Sequence, residues 1–118
     1  MRRVFLNSKI HKAVVTGADL EYEGSFGIDS DILKKANILP NEQIHVFNIT
    51  NGNRFVTYAI PAAAGSKTMC ANGACAHLTQ RGDEVIICTF ADLDEAEISG
   101  HIPTIVFMSE YVLENIDG

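Results

Sequence analysis

The dipeptide Gly24-Ser25 combines a hydroxyl nucleophile with an unhindered carbonyl group directly before it. Attack by Ser25 Oγ on the Gly24 carbonyl carbon would convert the peptide bond into an ester. Glycine also adopts backbone dihedrals that other residues avoid, which suits a turn strained toward such an attack. The same dipeptide is common in ordinary surface turns, so the surrounding sequence has to distinguish the two interpretations.

The three cysteines, Cys70, Cys75 and Cys88, form no recognisable framework. Their number is odd and no CxxC spacing occurs, which argues against structural disulfides and against a zinc site. A nucleophile made of Cys75 and His77 is disfavoured, because the two residues are only two positions apart on a turn. We therefore expect three small buried residues and no bound metal.

The composition is that of a single globular domain over residues 1–118. The chain is 47% hydrophobic and 20% charged, and a chain of this length buries roughly two thirds of its unfolded surface. The net charge of -6 disfavours nucleic acid and anionic membranes as partners. No apolar run reaches about 18 residues, and the N-terminus turns polar early, so we expect a cytoplasmic location.

The N-terminal third contains apolar runs that predict strands and one short helix. Residues 2–6 and 9–16 predict a strand pair or one long bent strand, followed by a polar segment at 17–19. The acidic and serine residues after Ile28 predict the start of a short helix over 32–36. We expect Pro40 to stop this helix.

The remaining segments predict several short strands. Residues 43–49 and 54–61 predict a hairpin, because Asn51-Gly52 between them is a favoured pair for a tight turn. Many short strands with two short helices favour a small β-barrel, since closure removes exposed edges. The other predicted elements are strands at 67–71, 84–91 and 104–110, a last strand at 111–114, a loop or short helix at 72–81, and a polar connection at 92–100.

Three segments carry a joint pattern: TGADLEYEGS at 16–25, NGNRFVTYAI at 51–60, and NGACAH at 72–77 followed by GDEVII at 82–87. Read together and in this order, they resemble the aspartate 1-decarboxylases, pyruvoyl enzymes of pantothenate (coenzyme A) biosynthesis. The resemblance covers nearly the whole chain. It implies a mainly β fold, a small double-psi β-barrel with short helices, and assembly into a homotetramer.

The resemblance implies that the chain cuts itself between Gly24 and Ser25 into residues 1–24 and 25–118. Elimination from the ester would leave dehydroalanine, which hydrolyses to a pyruvoyl group at residue 25. The amine of L-aspartate would then form a Schiff base with the ketone, and conjugation with the adjacent amide would accept the electrons. Neither metal nor pyridoxal phosphate is then required, and no Gly-rich phosphate loop occurs. Whether a helper protein assists maturation stays open.

L-Aspartate has two carboxylates, and decarboxylation requires the site to hold one while the other is lost. Lys9 and Arg54 are the candidate anchors by resemblance, and the planar fork of arginine matches a carboxylate best. At about 4 Å and an effective dielectric near 20, such a charge pair is worth about 4 kcal/mol before desolvation. The alternative for both residues is a solvated charge on a strand.

Tyr58 and Thr57 match neighbouring positions with different implied roles. Tyr58 is expected to return a proton to the carbon that loses CO₂, and Thr57 to support processing and contact the substrate. Alternation in a strand would place the two side chains on opposite faces, so one of them needs a bend or an edge position. His11 and Tyr22 match positions near the processing site and are second-tier candidates.

The segment Asn72, Gly73, Ala74 and Cys75 resembles the loop whose backbone groups bind the substrate carboxylate, as unpaired N–H groups near a helix start would. Family members more often carry alanine where this chain has Cys75. We expect Cys75 to act through its backbone, without thiol chemistry.

Two other functions are compatible with parts of the sequence. A small-barrel binding module would keep the scaffold and never mature. A Ser- or Cys-dependent hydrolase ranks last, because no G-x-S-x-G elbow occurs.

Overall fold

A computed structural model describes residues 1–115, in which most regular structure is β-strand. No helix in this range is long and apolar enough to cross a membrane. The helices are α1 (Ser30–Ala36), α2 (Glu95–Ile98) and α3 (Met108–Glu114), and a 3₁₀ turn spans Gly73–His77. The strands are β1 (Arg3–Val14), β2 (Gly17–Asp19), β3 (Phe26–Asp29), β4 (Gln43–Asn48), β5 (Arg54–Ala62), β6 (Met69–Asn72), β7 (Glu84–Leu93) and β8 (Thr104–Phe107).

All eight strands belong to one sheet with the order β2-β6-β3-β5-β4-β7-β1-β8. β1 and β2 lie near opposite ends of this order, although only Val15 and Thr16 separate them in the chain. The sheet therefore has to curl until its two ends meet. There the Thr16 N–H donates to the Met69 carbonyl oxygen at 2.8 Å. The mainly β class with short helices is confirmed, and the curled sheet is consistent with a small barrel.

β1 is one long strand that two register shifts bend. Of the two predictions for the N-terminus, a strand pair or one long bent strand, the long bent strand is confirmed. Its pairing with β7 is irregular between Leu6 and Ser8 and again between Ile10 and Ala13. The polar segment at 17–19, for which no strand was predicted, is strand β2, which pairs in parallel with β6. Backbone hydrogen bonding to β6 outweighs the low strand propensity of this segment.

The start of α1 and its end at Ala36 are confirmed, but Pro40 is not the residue that stops the helix. The side chain of buried Asp29 accepts from the Asp31 N–H at 2.8 Å, as an N-cap does. It also accepts from two backbone N–H groups in the loop before β6, at 3.1 and 2.7 Å. Asn37, in the left-handed conformation with φ 58°, ends the helix before Pro40 is reached.

The C-terminal segment corrects two predictions. Residues 104–110 and 111–114 were predicted to be strands, but β8 ends at Phe107 and α3 follows it immediately. Met108 and Tyr111 both pack against the core. Residues three apart share one face of a helix and lie on opposite faces of a strand, so only the helix buries both.

The other predicted elements agree with the structure in kind. β4 and β5 form the expected antiparallel hairpin. The segment at 72–81, expected to be a loop or short helix, contains the 3₁₀ turn, and the strand predicted at 84–91 is β7. The polar connection at 92–100 also contains α2, which Asp94 and Glu97 begin with a reciprocal capping box.

Alternate residues of five adjacent strands point to opposite faces of the sheet. We call the more buried set, in which only Phe55 is partly exposed, the inner row, and the neighbouring set, in which only Cys88 is buried, the outer row. Each row runs in register from β8 through β1, β7 and β4 to β5. The inner row is Val106, Ile10, Ile87, Val46 and Phe55, and the outer row is Ile105, Lys9, Cys88, His45 and Val56.

A buried carboxylate, Asp83, ties the end of β4 to the turn before β7. Its Oδ2 accepts from Asn48 Nδ2 at 2.8 Å, from the Gln80 N–H at 3.0 Å and from Thr79 Oγ1 at 3.3 Å. The hydrogen bond from Asn48 is the largest cause that lowers the pKa of Asp83, and burial opposes it. The ionised carboxylate is therefore part of the folded structure.

We predict that Asp83→Asn lowers the free energy of unfolding by roughly 2 kcal/mol at neutral pH, because buried donors lose a charged acceptor. The folded-state pKa lies below the unfolded value of about 3.9, so the stabilisation is present above that value. It is lost as pH falls through the folded-state pKa. Urea denaturation across a pH series should show the gap between variant and wild type closing in acid.

Asp92→Asn is a suitable control, because Asp92 forms an exposed ion pair with Arg2 and such pairs contribute little. Equal unfolding free energies of Asp83→Asn and wild type at every pH would contradict the role of the carboxylate.

Candidate active site

Ser25 directly precedes β3, the strand that lies between β5 and β6. Phe26 pairs with β5 on one side and β6 on the other, so Tyr58 and Asn72 are the neighbours of the preceding residue. The Tyr58 N–H donates to Ser25 Oγ at 3.4 Å, and the Asn72 N–H donates to the Ser25 carbonyl oxygen at 2.8 Å. Ser25 is only 4% exposed. Its hydroxyl is therefore held inside the fold and not on a surface turn.

Two glycines with positive φ surround the bond between residues 24 and 25. Gly24 has φ 106°, and a side chain there would put its Cβ 2.7 Å from Ile60 Cδ1. Gly73, the first residue of the 3₁₀ turn, has φ 61°, and a Cβ there would lie 3.3 Å from the Gly24 carbonyl oxygen. The turn thus packs directly against the carbonyl group that Ser25 would attack.

A cavity of about 310 Å³ opens beside Ser25. Seven of the predicted site residues line it, and Gly73 lies beside the Gly24 carbonyl group without being part of the lining. Phe55, Val56 and Leu78 also line it and were not predicted, because apolar side chains carry no chemical signal and only strand pairing reveals them. The predicted residues in the lining are Gly24, Ser25, Thr57, Tyr58, Asn72, Ala74 and Cys75.

Two thiols contact the polar groups of this cavity. Cys75 Sγ lies 3.8 Å from Ser25 Oγ. Cys70 Sγ donates to Asn72 Oδ1 at 3.2 Å. Burial, the larger cause, and the negative charge of Asp19 raise the pKa of the Cys70 thiol, so it stays protonated and remains a donor. This hydrogen bond holds the Asn72 side chain in place.

Thr57 and Tyr58 lie on opposite faces of β5, as strand alternation predicts. Thr57 pairs with buried Ile44 on the inner face, whereas Tyr58 is 44% exposed and lies two residues from Val56 of the outer row. Both residues nevertheless line the cavity. The contact of Tyr58 with Ser25 is made by its backbone N–H.

Lys9 lies in the outer row and not in the lining of the cavity. Three strand spacings of about 4.8 Å separate it from Val56, a distance of roughly 14 Å. Lys9 pairs with Cys88 of β7. Burial raises the pKa of the Cys88 thiol, and the positive charge of Lys9 partly offsets this increase. Within one chain, Lys9 is therefore not brought to Ser25.

The other candidates also lie outside the cavity lining. The Arg54 guanidinium lies over the Phe47 ring, 4.6 Å from its centroid. His11 meets the Phe107 ring edge to face at 5.6 Å, and its buried Nδ1 has no hydrogen-bond partner. Tyr22 is mostly exposed, and only its carbonyl group approaches Gly73. Residues 1–115 contain no cluster of three His, Cys, Asp or Glu side chains that could hold a metal ion.

Comparison with known proteins gives consistent matches. A protein from Myxococcus xanthus (strain DK1622) named "Aspartate 1-decarboxylase" is 53% identical over 110 residues, covering 93% of this chain and 85% of its own. A protein of the same name from Leptothrix cholodnii is 54% identical, covering 93% and 84%. Another from Maricaulis maris is 50% identical, covering 94% and 92%.

The family model described as aspartate decarboxylase matches residues 1–113. The match spans both sides of Gly24-Ser25 and every strand of the sheet. The resemblance found in the sequence is thereby confirmed, and the chain belongs to the aspartate decarboxylase family.

Proposed function

We propose that this chain cuts itself between Gly24 and Ser25 and then decarboxylates L-aspartate to β-alanine and CO₂, a step of pantothenate biosynthesis. The observation that carries the proposal is the buried Ser25 hydroxyl beside the Gly24 carbonyl group, at the edge of a cavity of about 310 Å³. The name shared by the relatives supports the reaction and its substrate.

Cleavage would begin with attack of Ser25 Oγ on the Gly24 carbonyl carbon. The Oγ–C bond forms, the C–N bond breaks, and the hydroxyl proton passes to the Ser25 nitrogen. The Tyr58 N–H restrains Oγ at 3.4 Å, and Gly73 packs against the carbonyl oxygen. Thr57 lines the same cavity, where its hydroxyl could stabilise the negative charge that develops on that oxygen.

The residues around Ser25 fit a pyruvoyl group at position 25. The site is buried, the cavity beside it has room for an amino acid, and none of its lining residues is charged. When present, the group supplies a ketone that binds the substrate amine and accepts electrons. A largely apolar lining favours loss of CO₂, because it solvates a carboxylate poorly.

The side chains and backbone groups that would handle aspartate come from different elements. The 3₁₀ turn brings Ala74 and Cys75 to the cavity, where their backbone N–H groups would bind one carboxylate. The Arg54 guanidinium lies over the Phe47 ring, outside the cavity lining, and would have to leave that ring to hold the other carboxylate with its planar fork. The Tyr58 hydroxyl would return a proton to the carbon that loses CO₂.

A second copy of the chain would supply Lys9 and His11, as part of a homotetramer. The outer face of the sheet carries large apolar side chains in the open, including Val56 at 56%, Phe107 at 45% and Ile105 at 42% exposure. Large apolar side chains exposed on one face of a sheet are typical of protein interfaces. Contact through this face would bring Lys9 of one copy toward the cavity of another.

A cytoplasmic location is part of the proposal. Cys70, Cys75 and Cys88 are all free thiols. A reducing compartment maintains thiols in that state.

We predict that the purified wild-type protein yields two pieces under denaturing mass spectrometry, residues 1–24 and 25–118, the larger without a free amine. Ser25→Ala removes the attacking hydroxyl and should give only the intact chain, without β-alanine production. Ser30→Ala, in the first turn of α1, is the matched control and should be cut normally. An intact wild-type chain with full activity would contradict the proposal.

We predict that Gly73→Ala slows cleavage at least tenfold, which corresponds to about 1.4 kcal/mol in the barrier. The added Cβ would press on the Gly24 carbonyl oxygen from 3.3 Å. Gly52→Ala also places alanine at a positive φ, 81°, but its Cβ would meet nothing within 4 Å. The fraction of intact chain over time checks this, and equal rates for the two variants would refute the steric role of Gly73.

We predict that Lys9→Ala and Ser25→Ala chains, each inactive alone, recover part of the activity when coexpressed. A mixed oligomer would join an intact residue 25 in one chain to an intact Lys9 in the next. Lys67→Ala, at an exposed loop position, should stay active alone. Mixed oligomers that are verified by native mass spectrometry and remain inactive would argue against a site shared between chains.

A further inference from the structure

The Cys75 thiol occupies a position next to residue 25 that the proposed reaction does not use. Cys75 is 8% exposed, and its Sγ lies 3.8 Å from Ser25 Oγ. Both side chains face the same cavity. The Ser25 carbon that would become the ketone carbon is two bonds from Oγ, so the thiol lies in the neighbourhood of that carbon.

The contacts that hold this pair together do not depend on the bond between residues 24 and 25. The Asn72 N–H donates to the Ser25 carbonyl oxygen, and both groups would belong to the piece 25–118 after cleavage. Phe26 stays paired on both of its edges. On the other side of the contact, the Leu78 N–H donates to the Cys75 carbonyl oxygen at 3.0 Å and closes the 3₁₀ turn. Residue 25 and Cys75 are therefore held together after cleavage.

We propose that, after maturation, the Cys75 thiol adds reversibly to the ketone of residue 25 and forms a hemithioketal. This inference rests on the proposed self-cleavage. Sulfur bonds to the ketone carbon and the thiol proton moves to the ketone oxygen, so no oxidant, reductant or further reactant is required and the mass is unchanged. Cysteine is intrinsically nucleophilic, and the adjacent amide carbonyl makes this ketone a strong electrophile.

The adduct has a direct consequence for substrate binding. Thiol and substrate amine compete for the same carbon, so aspartate must displace Cys75 before it can bind covalently. The closed form protects the ketone from other amines and raises the apparent KM for aspartate. Cys75 is thereby a covalent partner of residue 25, in addition to the backbone role expected from the sequence.

The other two cysteines are placed differently and serve as internal controls. The Cys70 thiol donates a hydrogen bond to Asn72 Oδ1. Cys88 belongs to the outer row, where its neighbours in register are Lys9 and His45. Neither thiol contacts Ser25 in the structure, so only Cys75 is expected to form the adduct.

The test uses protein labelled with 13C at the α-carbon of serine, since only residue 25 turns this carbon into a ketone. Wild type and Cys88→Ala should show a carbon bonded to sulfur and oxygen at the expense of the ketone signal. Cys75→Ala should show the ketone and any hydrate, without the sulfur-bound signal. Cys75→Ser keeps the side-chain shape and should also lose the sulfur-bound signal. It therefore controls for any change of packing in Cys75→Ala.

A second measurement follows capture of the ketone by O-methylhydroxylamine, monitored by the mass of the 25–118 piece. Capture should be several-fold faster in Cys75→Ala than in wild type or Cys88→Ala. Cleaved proteins with identical ketone signals and capture rates would overturn the adduct and leave the self-cleavage intact. Uncut chains in every sample would overturn the self-cleavage itself, and the adduct with it.

Discussion

The double pairing of β3 is the constraint on which the candidate site depends. This strand has only four residues, all buried, and it is held in parallel by β5 and in antiparallel fashion by β6. Asp29, the last residue of β3, holds that end of the strand by accepting hydrogen bonds from N–H groups of α1 and of the loop before β6. With so short a strand fixed at one end and on both edges, Ser25 has little freedom. Its neighbours are set by register and not by side-chain flexibility.

β5 contributes to the cavity from both of its faces. Thr57 reaches the cavity from the inner face, and Val56 and Tyr58 reach it from the outer face. The outer face carries Tyr58 and Arg54 on the same side as Lys9, which is strands away within one chain. A single strand thus connects the place where the chain would be cut with the surface where another copy would dock. The proposed cleavage and the proposed assembly would thus involve adjacent residues of one element.

Sequence reasoning performed best where a local pattern carries the information. The Asn-Gly hairpin and the Asp29 helix start are local, and both were predicted correctly. The distance between Lys9 and the cavity could not be predicted, because it depends on the register of four strands that are distant in sequence. The bond from Asn48 to Asp83 joins residues 35 apart and leaves no local signal. At 104–114, the apolar run of β8 concealed the helical spacing of Met108 and Tyr111.

The position of β1 in the sheet determines how the proposed cleavage would change the stability of the mature protein. β1 lies inside the sheet, between β7 and β8, and it belongs entirely to the piece that ends at residue 24. A chain cut there would keep a strand that is paired on both edges but has no covalent link to those neighbouring strands. Folding would have occurred as a one-molecule process, whereas refolding would require two molecules to meet. The mature protein would then persist because it unfolds slowly, and its lifetime would be set by a rate and not by an equilibrium.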